Sequence, residues 1–331
     1  MKKILKIFIK VLSGFLISYF FLYLVLRKIN VKEVFYYIKN ASIFWIIIFV
    51  FISVFIYFLK SVRFLYLNLD IKEKKLKTIF VFMKNLLIGF MLNNFLPFRT
   101  GDIFRAVSLS KIYDTNKSHI IGATILERLF DILSIFSFFM LFFIITHVDI
   151  PNSLKIFNQI GLVIVGIIFF VLLFFKKYKV ILFRKMNFFC KLKFFKKINF
   201  TFNAVLNGFS SLDKKTEFIK FYIFSLFIWF LEGISYFFIG RAVHLEISIL
   251  KFIFVMTVVC FFSMIPSGPF FLGTFEGGAI LALERFFVDK EKGMAFAIIL
   301  HFLQIILISS LGLIFLFRSK NKILDLFYNR K

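Results

Sequence analysis

The stretch "LNNFLPFRTGDIFR", residues 92–105, ends an apolar run that begins near residue 78, and the two together decide the fold class. The run is apolar enough to enter a bilayer, but the stretch after it brings in polar, charged, proline and glycine residues. Irregular backbone survives at membrane depth only where protein or a water-filled cavity surrounds it. The stretch therefore predicts a broken helix inside a membrane protein.

Composition places the rest of the chain in the membrane as well. The 331 residues are 61% hydrophobic with a mean hydropathy of +0.93, and a helix needs about 20 mostly apolar residues to span a bilayer. We predict an all-α polytopic integral membrane protein, with about six full spans and two broken or re-entrant segments. The full spans are 5–26, 43–59, 120–146, 158–175, 218–240 and 292–317, and the broken segments are 78–97 and 251–265.

The net charge of +26 bears on partners. The lysines flank apolar runs, which favours an anionic lipid surface as the partner over nucleic acid. The two cysteines, Cys190 and Cys260, lie far apart without a metal-ligand pattern, and no phosphate-binding, zinc-protease or dinucleotide motif occurs. We therefore expect no metal, no cofactor and no assigned catalytic residue.

The distribution of lysine and arginine predicts the topology. If both broken segments turn back, the inside segments carry 30 basic residues and the outside segments carry 10. This solution predicts a cell-membrane protein with both termini in the cytoplasm. The inside segments are 1–10, 60–77, 98–119, 176–217 and 318–331, and the outside segments are 27–42, 147–157, 241–251 and 266–292.

The same topology predicts an inverted repeat inside one domain, residues 1–331. The proposed halves, 1–155 and 156–317, each contain an interrupted segment at a matching place, which is typical of transporters with a site at the bilayer midplane. The alternative is that both breaks are surface loops. An interfacial amphipathic segment is expected at about 180–212 and a basic tail at 318–331.

Three ionisable residues lie inside the apolar run "ATILERLFDIL". Glu127, Arg128 and Asp131 are three and four positions apart, so they form one patch on a helix. Charges within a span face the interior and pair, and they are functional candidates by default. The alternative is a structural pair between Arg128 and Asp131 that holds two helices together.

The break after residue 96 has the residue types of a phosphate site. Asn94 and Pro97 would end the helix, Gly101 would allow a tight turn, and Asp102 would cap the next helix. Helix N-termini and arginine forks are how proteins hold phosphates. We predict one headgroup site of three arginines whose forks three carboxylates hold in place, namely Arg99, Arg105 and Arg128 with Asp102, Glu127 and Asp131.

The second break, "PSGPFFLGTFEGG", carries a similar set of residues. Pro266, Pro269 and Gly273 are predicted turn residues, and Glu276 follows them. His301 lies on the last span, where a packing role is favoured over a proton carrier. Glu276 and His301 are included among the predicted substrate-binding residues.

Three motifs, "NNFLPFRTGDIFRA", "ATILERLFDIL" and "IPSGPFFLGTFEGGAILAL…HFLQ", resemble the lysylphosphatidylglycerol synthase transmembrane-region family, also called flippase-like proteins. The resemblance runs from about 10 to 317. It implies that the substrate-binding and turn residues named above match the family motifs. Two departures are Asp102, where members often carry Glu, and Phe270, where a Pro-Gly pair is usual.

The resemblance implies a stand-alone member that lacks the aminoacyl-transferring domain of fused relatives. The first functional hypothesis is a translocase for an anionic or aminoacylated phospholipid, or for a polyprenyl-phosphate-linked lipid. The alternatives are a membrane-embedded polyprenyl-phosphate-dependent glycosyltransferase, with Asp102 or Glu127 as a base, and a scaffold that transports nothing.

Overall fold

The structure is a computed structural model. It describes residues 16–23, 27, 29–68, 71, 74–96, 100–146, 215–265 and 268–318. Several sequence predictions lie outside these residues and stay predictions: the span 158–175, the amphipathic segment 180–212, nearly all of the tail 318–331, and the residues Pro97, Arg99 and Pro266.

The described residues are mainly helical. Residues 16–23 belong to a helix within the first predicted span, and a 3-10 turn, Pro269–Phe271, lies between α7 and α8. The remaining helices are α1 Val31–Lys39, α2 Ile43–Leu67, α3 Leu76–Phe95, α4 Thr100–Ile112, α5 Lys117–Thr146, α6 Lys215–Ala242, α7 Ile249–Ser263, α8 Thr274–Glu284 and α9 Lys290–Phe317.

The prediction of a polytopic helical membrane protein is confirmed. Helices α2, α3, α5, α6 and α9 are long and apolar enough to cross a membrane, and α7 is a shorter apolar helix. Helix α2 continues past the predicted end of its span at residue 59. Lys60 and Arg63, which the topology argument counted in a loop, therefore lie in the last turns of this helix.

Both predicted breaks separate two helices. The first break, residues 96–99, lies between α3 and α4, and the second break, residues 264–273, lies between α7 and α8. Helix α3 has 20 residues, enough to cross a bilayer, whereas α7 has 15. The re-entrant course of these two segments stays a prediction.

The chain divides into two compact units. The first unit combines Met1–Phe58, Leu86–Asp102 and Ile228–Lys331, and the second combines Leu59–Asn85 and Ile103–Phe227. Each unit draws on both predicted halves of the chain, and the inverted repeat stays a prediction.

Phenylalanine packing fills the interior of each unit. In the second unit the ring centroids of Phe64 and Phe82 lie 5.7 Å apart. In the first unit Phe252 and Phe296 are 5.6 Å apart, and all four side chains are buried. Tilted aromatic pairs at these distances add packing energy beyond burial of area. They hold together the helices that carry the polar residues described next.

Candidate functional site

Five charged side chains meet inside the second unit, and we call this group the arginine cluster. Its members come from three helices: Arg63 on α2, Arg105 on α4, and Glu127, Arg128 and Asp131 on α5. Arg63, Arg105 and Glu127 are each only 1% exposed. Fully buried charges persist only when they are paired and hydrogen-bonded, so the contacts within this group decide what it can do.

Arg63 is the centre of the arginine cluster. Its Nη2 atom donates to Asp131 Oδ1 at 2.8 Å and to Glu127 Oε1 at 3.3 Å. Its Nη1 atom donates to the hydroxyl of Ser225 on α6 at 2.8 Å. One guanidinium thus joins three helices, because its planar fork offers several donors in fixed directions.

Arg105 shares Glu127 with Arg63. Its Nη2 atom donates to Glu127 Oε2 at 2.5 Å, and its guanidinium lies over the ring of Phe64, 3.9 Å from the centroid. Each oxygen of Glu127 therefore accepts from a different arginine. A carboxylate engaged in this way is held in one orientation.

Arg128 is bound less tightly than the other two arginines. Its Nη1 atom lies 3.4 Å from Asp131 Oδ2, and its side chain is 30% exposed. Asp131 is held at the closer distance of 2.8 Å by Arg63. The predicted structural pair of Arg128 and Asp131 is therefore secondary to the pair that Asp131 forms with Arg63.

Among the described residues, some N–H donors of the arginine cluster are buried and have no hydrogen-bond partner. Arg63 Nε, Arg105 Nε and Arg105 Nη1 are buried and have no hydrogen-bond partner within the described part of the chain. A buried polar group without a partner costs about 1–3 kcal/mol. Buried guanidinium donors of this kind suit a phosphate or carboxylate oxygen.

The structure brings together four of the predicted site residues, Arg105, Glu127, Arg128 and Asp131, and adds one that sequence reasoning missed. Arg63 lies 64 positions before Glu127, so no helical spacing links the two. A usable signal was present, because arginine is scarce in this lysine-rich chain and Arg63 lies four residues after the end of an apolar run. Asp102 belongs to the first unit.

Two hydrogen bonds connect α3 and α4 across the first break. Asn93 Oδ1 accepts from the Gly101 N–H at 2.8 Å, and Asn93 Nδ2 donates to Asp102 Oδ1 at 3.4 Å. Asn93, not the predicted Asn94, makes these contacts, and Asn94 is partly exposed.

The structure bears on two expectations about the first break. Helix α4 begins at Thr100, so Asp102 lies in its first turn, and capping by Asp102 stays a prediction. Gly101 serves close packing instead of a turn, because a Cβ atom there would overlap the carbonyl oxygen of Gly89. The carboxylate of Asp102 still complements the positive end of the helix dipole.

The second break contains backbone that L-residues rarely adopt. Pro269 opens the 3-10 turn, and Phe270 and Phe271 have φ values of +61° and +57°. Gly273 follows with φ +86°, and a Cβ there would lie 2.5 Å from the carbonyl oxygen of Ser18. Left-handed backbone at bulky residues persists where the surroundings enforce it, and it clusters at functional positions. Phe270 is where the sequence departs from the family pattern.

Glu276 and His301 form a buried pair beside the second break. The His301 Nδ1 atom lies 2.6 Å from Glu276 Oε1, and the two side chains are 7% and 6% exposed. Glu276 Oε2 accepts from the Gly273 N–H at 2.7 Å. The ring of Phe275 is stacked on the imidazole at 4.0 Å. Both residues were predicted to bind substrate, and that role stays a prediction.

Metal binding has no support in the described part of the chain. It contains no group of three or more His, Cys, Asp and Glu side chains placed to hold an ion. The arginine cluster suits anions, and the Glu276–His301 pair offers only two ligands.

Comparison with known proteins identifies the family. The family described as "Lysylphosphatidylglycerol synthase TM region" matches residues 11–312. The chain belongs to this family. It is also similar to a UPF0104 membrane protein from Methanocaldococcus jannaschii, with 26% identity over 240 residues, which cover 70% of this chain and 96% of that protein. No solved structure matches the chain.

Proposed function

We propose that the protein translocates an anionic lipid between leaflets, with the arginine cluster holding the phosphate of the headgroup. The observation that carries the proposal is the pair of buried arginines with unused donors. Arg63 and Arg105 are paired to carboxylates through some of their N–H groups, while Arg63 Nε, Arg105 Nε and Arg105 Nη1 have no partner in the described residues.

In this arrangement the carboxylates hold the arginines in place, and other donors of the arginines bind the lipid. Glu127 and Asp131 fix the guanidinium groups, so that the arginines are ordered before any lipid arrives, and ordering in advance lowers the entropic cost of binding. Arg128 is the most exposed arginine of the cluster, with 30% of its side chain accessible. It is therefore placed to make the first contact with a headgroup, and an aminoacylated or polyprenyl-linked lipid presents the same phosphate chemistry.

The geometry of the described residues disfavours Glu127 as the base of the enzymatic alternative. A general base needs a carboxylate that can take a proton from substrate, and both oxygens of Glu127 already accept from arginines.

The test is translocation of fluorescent phosphatidylglycerol in vesicles that contain the purified protein, followed by quenching of the label in the outer leaflet. Arg128→Gln should slow translocation about ten- to a hundredfold, since one charge-assisted contact contributes roughly 1.5–3 kcal/mol. Arg128→Lys should restore only part of the rate, because lysine lacks the planar fork.

The matched control is Lys220→Gln. Lys220 is an exposed cation of the same unit, paired to Glu217 at 3.0 Å, and its loss should leave the translocation rate unchanged. Thermal unfolding in detergent should show that both variants remain folded. Translocation by Arg128→Gln at the wild-type rate would contradict the proposed site, and transfer of a sugar without lipid movement would favour the enzymatic alternative.

A further inference from the structure

The Glu276–His301 pair is a buried ionisable site that the headgroup proposal does not use. Its two residues lie on α8 and α9 and belong to the first unit. Of the described histidines, His119 and His244 lie at the ends of helices, whereas His301 lies near the middle of a span-length helix. Histidine is the side chain that ordinarily changes charge between pH 5 and 8.

The carboxyl group of Glu276 lies at the start of a helix and has a hydrogen-bonding neighbour at each oxygen. It lies in the first turn of α8, where the helix dipole stabilises a negative charge. One oxygen accepts from the Gly273 N–H and the other contacts His301 Nδ1. With the carboxylate ionised, Nδ1 of His301 is the donor of this contact. The second ring nitrogen, Nε2, is then the atom that takes up or releases a proton.

An aromatic ring covers one face of His301. The Phe275 ring lies parallel to the imidazole, at 11° and 4.0 Å, and the face of an aromatic ring attracts a cation. With the proton bound, imidazolium and carboxylate make a neutral pair. Without it, the pair carries one negative charge, and a net charge in an apolar interior is expensive. Exchange of one proton therefore changes the net charge of this buried pair.

The pair is joined to the second break by a direct hydrogen bond. Glu276 Oε2 accepts from the Gly273 N–H, and the break is also fixed to the helical residues 16–23 through a bond from the Gly268 N–H to Ser18 Oγ at 2.9 Å. A change of charge at His301 acts through Glu276 on the backbone of Gly273, where φ is +86°. Proton release is thus linked to the conformation of the break.

Other titratable groups lie on the elements packed against α8 and α9. Tyrosine and cysteine stay neutral between pH 5 and 7, so Glu232 is the group that a pH experiment must separate from His301. Away from the helix ends, these groups include Tyr19 and Tyr23 in residues 16–23, Tyr36 and Tyr37 on α1, Glu232 and Tyr236 on α6, and Cys260 on α7.

We propose that the Glu276–His301 pair binds one proton per transport cycle and couples lipid movement to a proton gradient across the membrane. This inference rests on the proposed translocase function, and it names the ion that drives the same transport.

The test uses vesicles of phosphatidylcholine with a minority of fluorescent phosphatidylglycerol, a pH indicator inside, and an imposed gradient of about one pH unit. One proton per lipid across this gradient biases the distribution of lipid by up to about tenfold. The wild type should show this bias together with proton movement. In His301→Asn the ratio of lipid distributions with and without the gradient should fall to about one.

The matched control is His244→Asn, at an exposed histidine that contacts the carbonyl oxygen of Asn40. Its φ is +58°, a conformation that asparagine tolerates, so the variant should keep the full response to the gradient. Glu232→Gln should keep it as well, and loss of the response in that variant alone would move the proton site to Glu232 and overturn the proposal. NMR of the histidine rings in lipid nanodiscs gives a second readout, in which the signal absent from His301→Asn should titrate between pH 5 and 8.

The outcomes separate this inference from the proposed function. Lipid translocation by the wild type that ignores the gradient would overturn the proton site and leave the translocase. Proton movement that is lost in His301→Asn, without any lipid movement, would support the proton site and overturn the translocase. An imidazole signal of His301 that does not change between pH 5 and 8 would overturn the proton site whatever the lipid does.

Discussion

The two units hold their helices together by different means. The second unit uses charge, since Arg63 bonds to side chains on α5 and α6. The first unit uses close backbone approach. Its crowded glycines, where a Cβ would press on a neighbouring helix or segment, include Gly101, Gly233, Gly240, Gly273, Gly278 and Gly312.

The difference between the two units follows from the way helices associate in lipid. Lipid supplies no hydrophobic force between helices, so helices in a membrane associate through small residues that permit contact or through polar side chains that bond across the interface. The first unit uses small residues, and the second unit uses polar side chains. The charged side chains of the second unit provide buried guanidinium donors, whereas the glycines of the first unit allow the close contacts around the second break.

The strongest test of this comparison is Arg63→Met in the second unit. The change leaves Asp131 Oδ1 and Glu127 Oε1 without their arginine at a buried position. Removing one partner of a buried ion pair destabilises a protein by about 3–5 kcal/mol. Thermal unfolding in detergent should show a large fall in midpoint. Lys220→Met, which breaks the exposed pair with Glu217, is the control and should shift it little. Equal midpoints for the two variants would contradict a charge-held second unit.

The first unit is tested by Gly101→Ala, for which we expect a loss of roughly 2–3 kcal/mol. The new Cβ would overlap the Gly89 carbonyl oxygen, and backbone cannot yield as a flexible side chain does. Gly293→Ala is the matched control, since its Cβ would lie 3.5 Å from Leu283, an ordinary contact. Alanine there should stabilise α9 slightly through its higher helix propensity. Unfolding midpoints that fall equally in both variants would contradict close approach as the cause.

The smallest expected effect is that of Glu276→Gln, about 1 kcal/mol. The amide keeps an acceptor for the Gly273 N–H and a contact with His301, so only the charge-assisted part of two hydrogen bonds is lost. The midpoint should fall slightly at pH 7. A loss as large as that of Arg63→Met would mean that the first unit also depends on charge, and the contrast between the units would fail.

Local spacing made part of the site predictable. Glu127, Arg128 and Asp131 are three and four positions apart on one helix, and the structure keeps them in one patch with Arg105. The breaks were predictable from proline and glycine. The membrane class followed from the long apolar runs, which the helices α2, α5 and α9 reproduce.

Other features depend on geometry that one sequence does not encode locally. Arg63 joins the cluster through packing of distant segments. Asn93 takes the place expected of Asn94 because successive residues point about 100° apart on a helix, so the side that faces the break depends on how the helix is rotated. The role of Gly101 was misjudged because a glycine that permits a turn and one that permits contact look alike in sequence.

The bonds of Arg63 have a consequence for how the chain is made. Arg63 is synthesised 68 residues before Asp131, which at about 5–20 residues per second is an interval of roughly 3–14 seconds. During that time α2 carries an arginine without its acceptors, and the position of Arg63 in the last turns of the helix lets it reach the membrane surface while it waits. Chains held on the ribosome before residue 127 should therefore expose a cysteine placed at position 63 to water-soluble reagents, and chains released after α6 has formed should protect it.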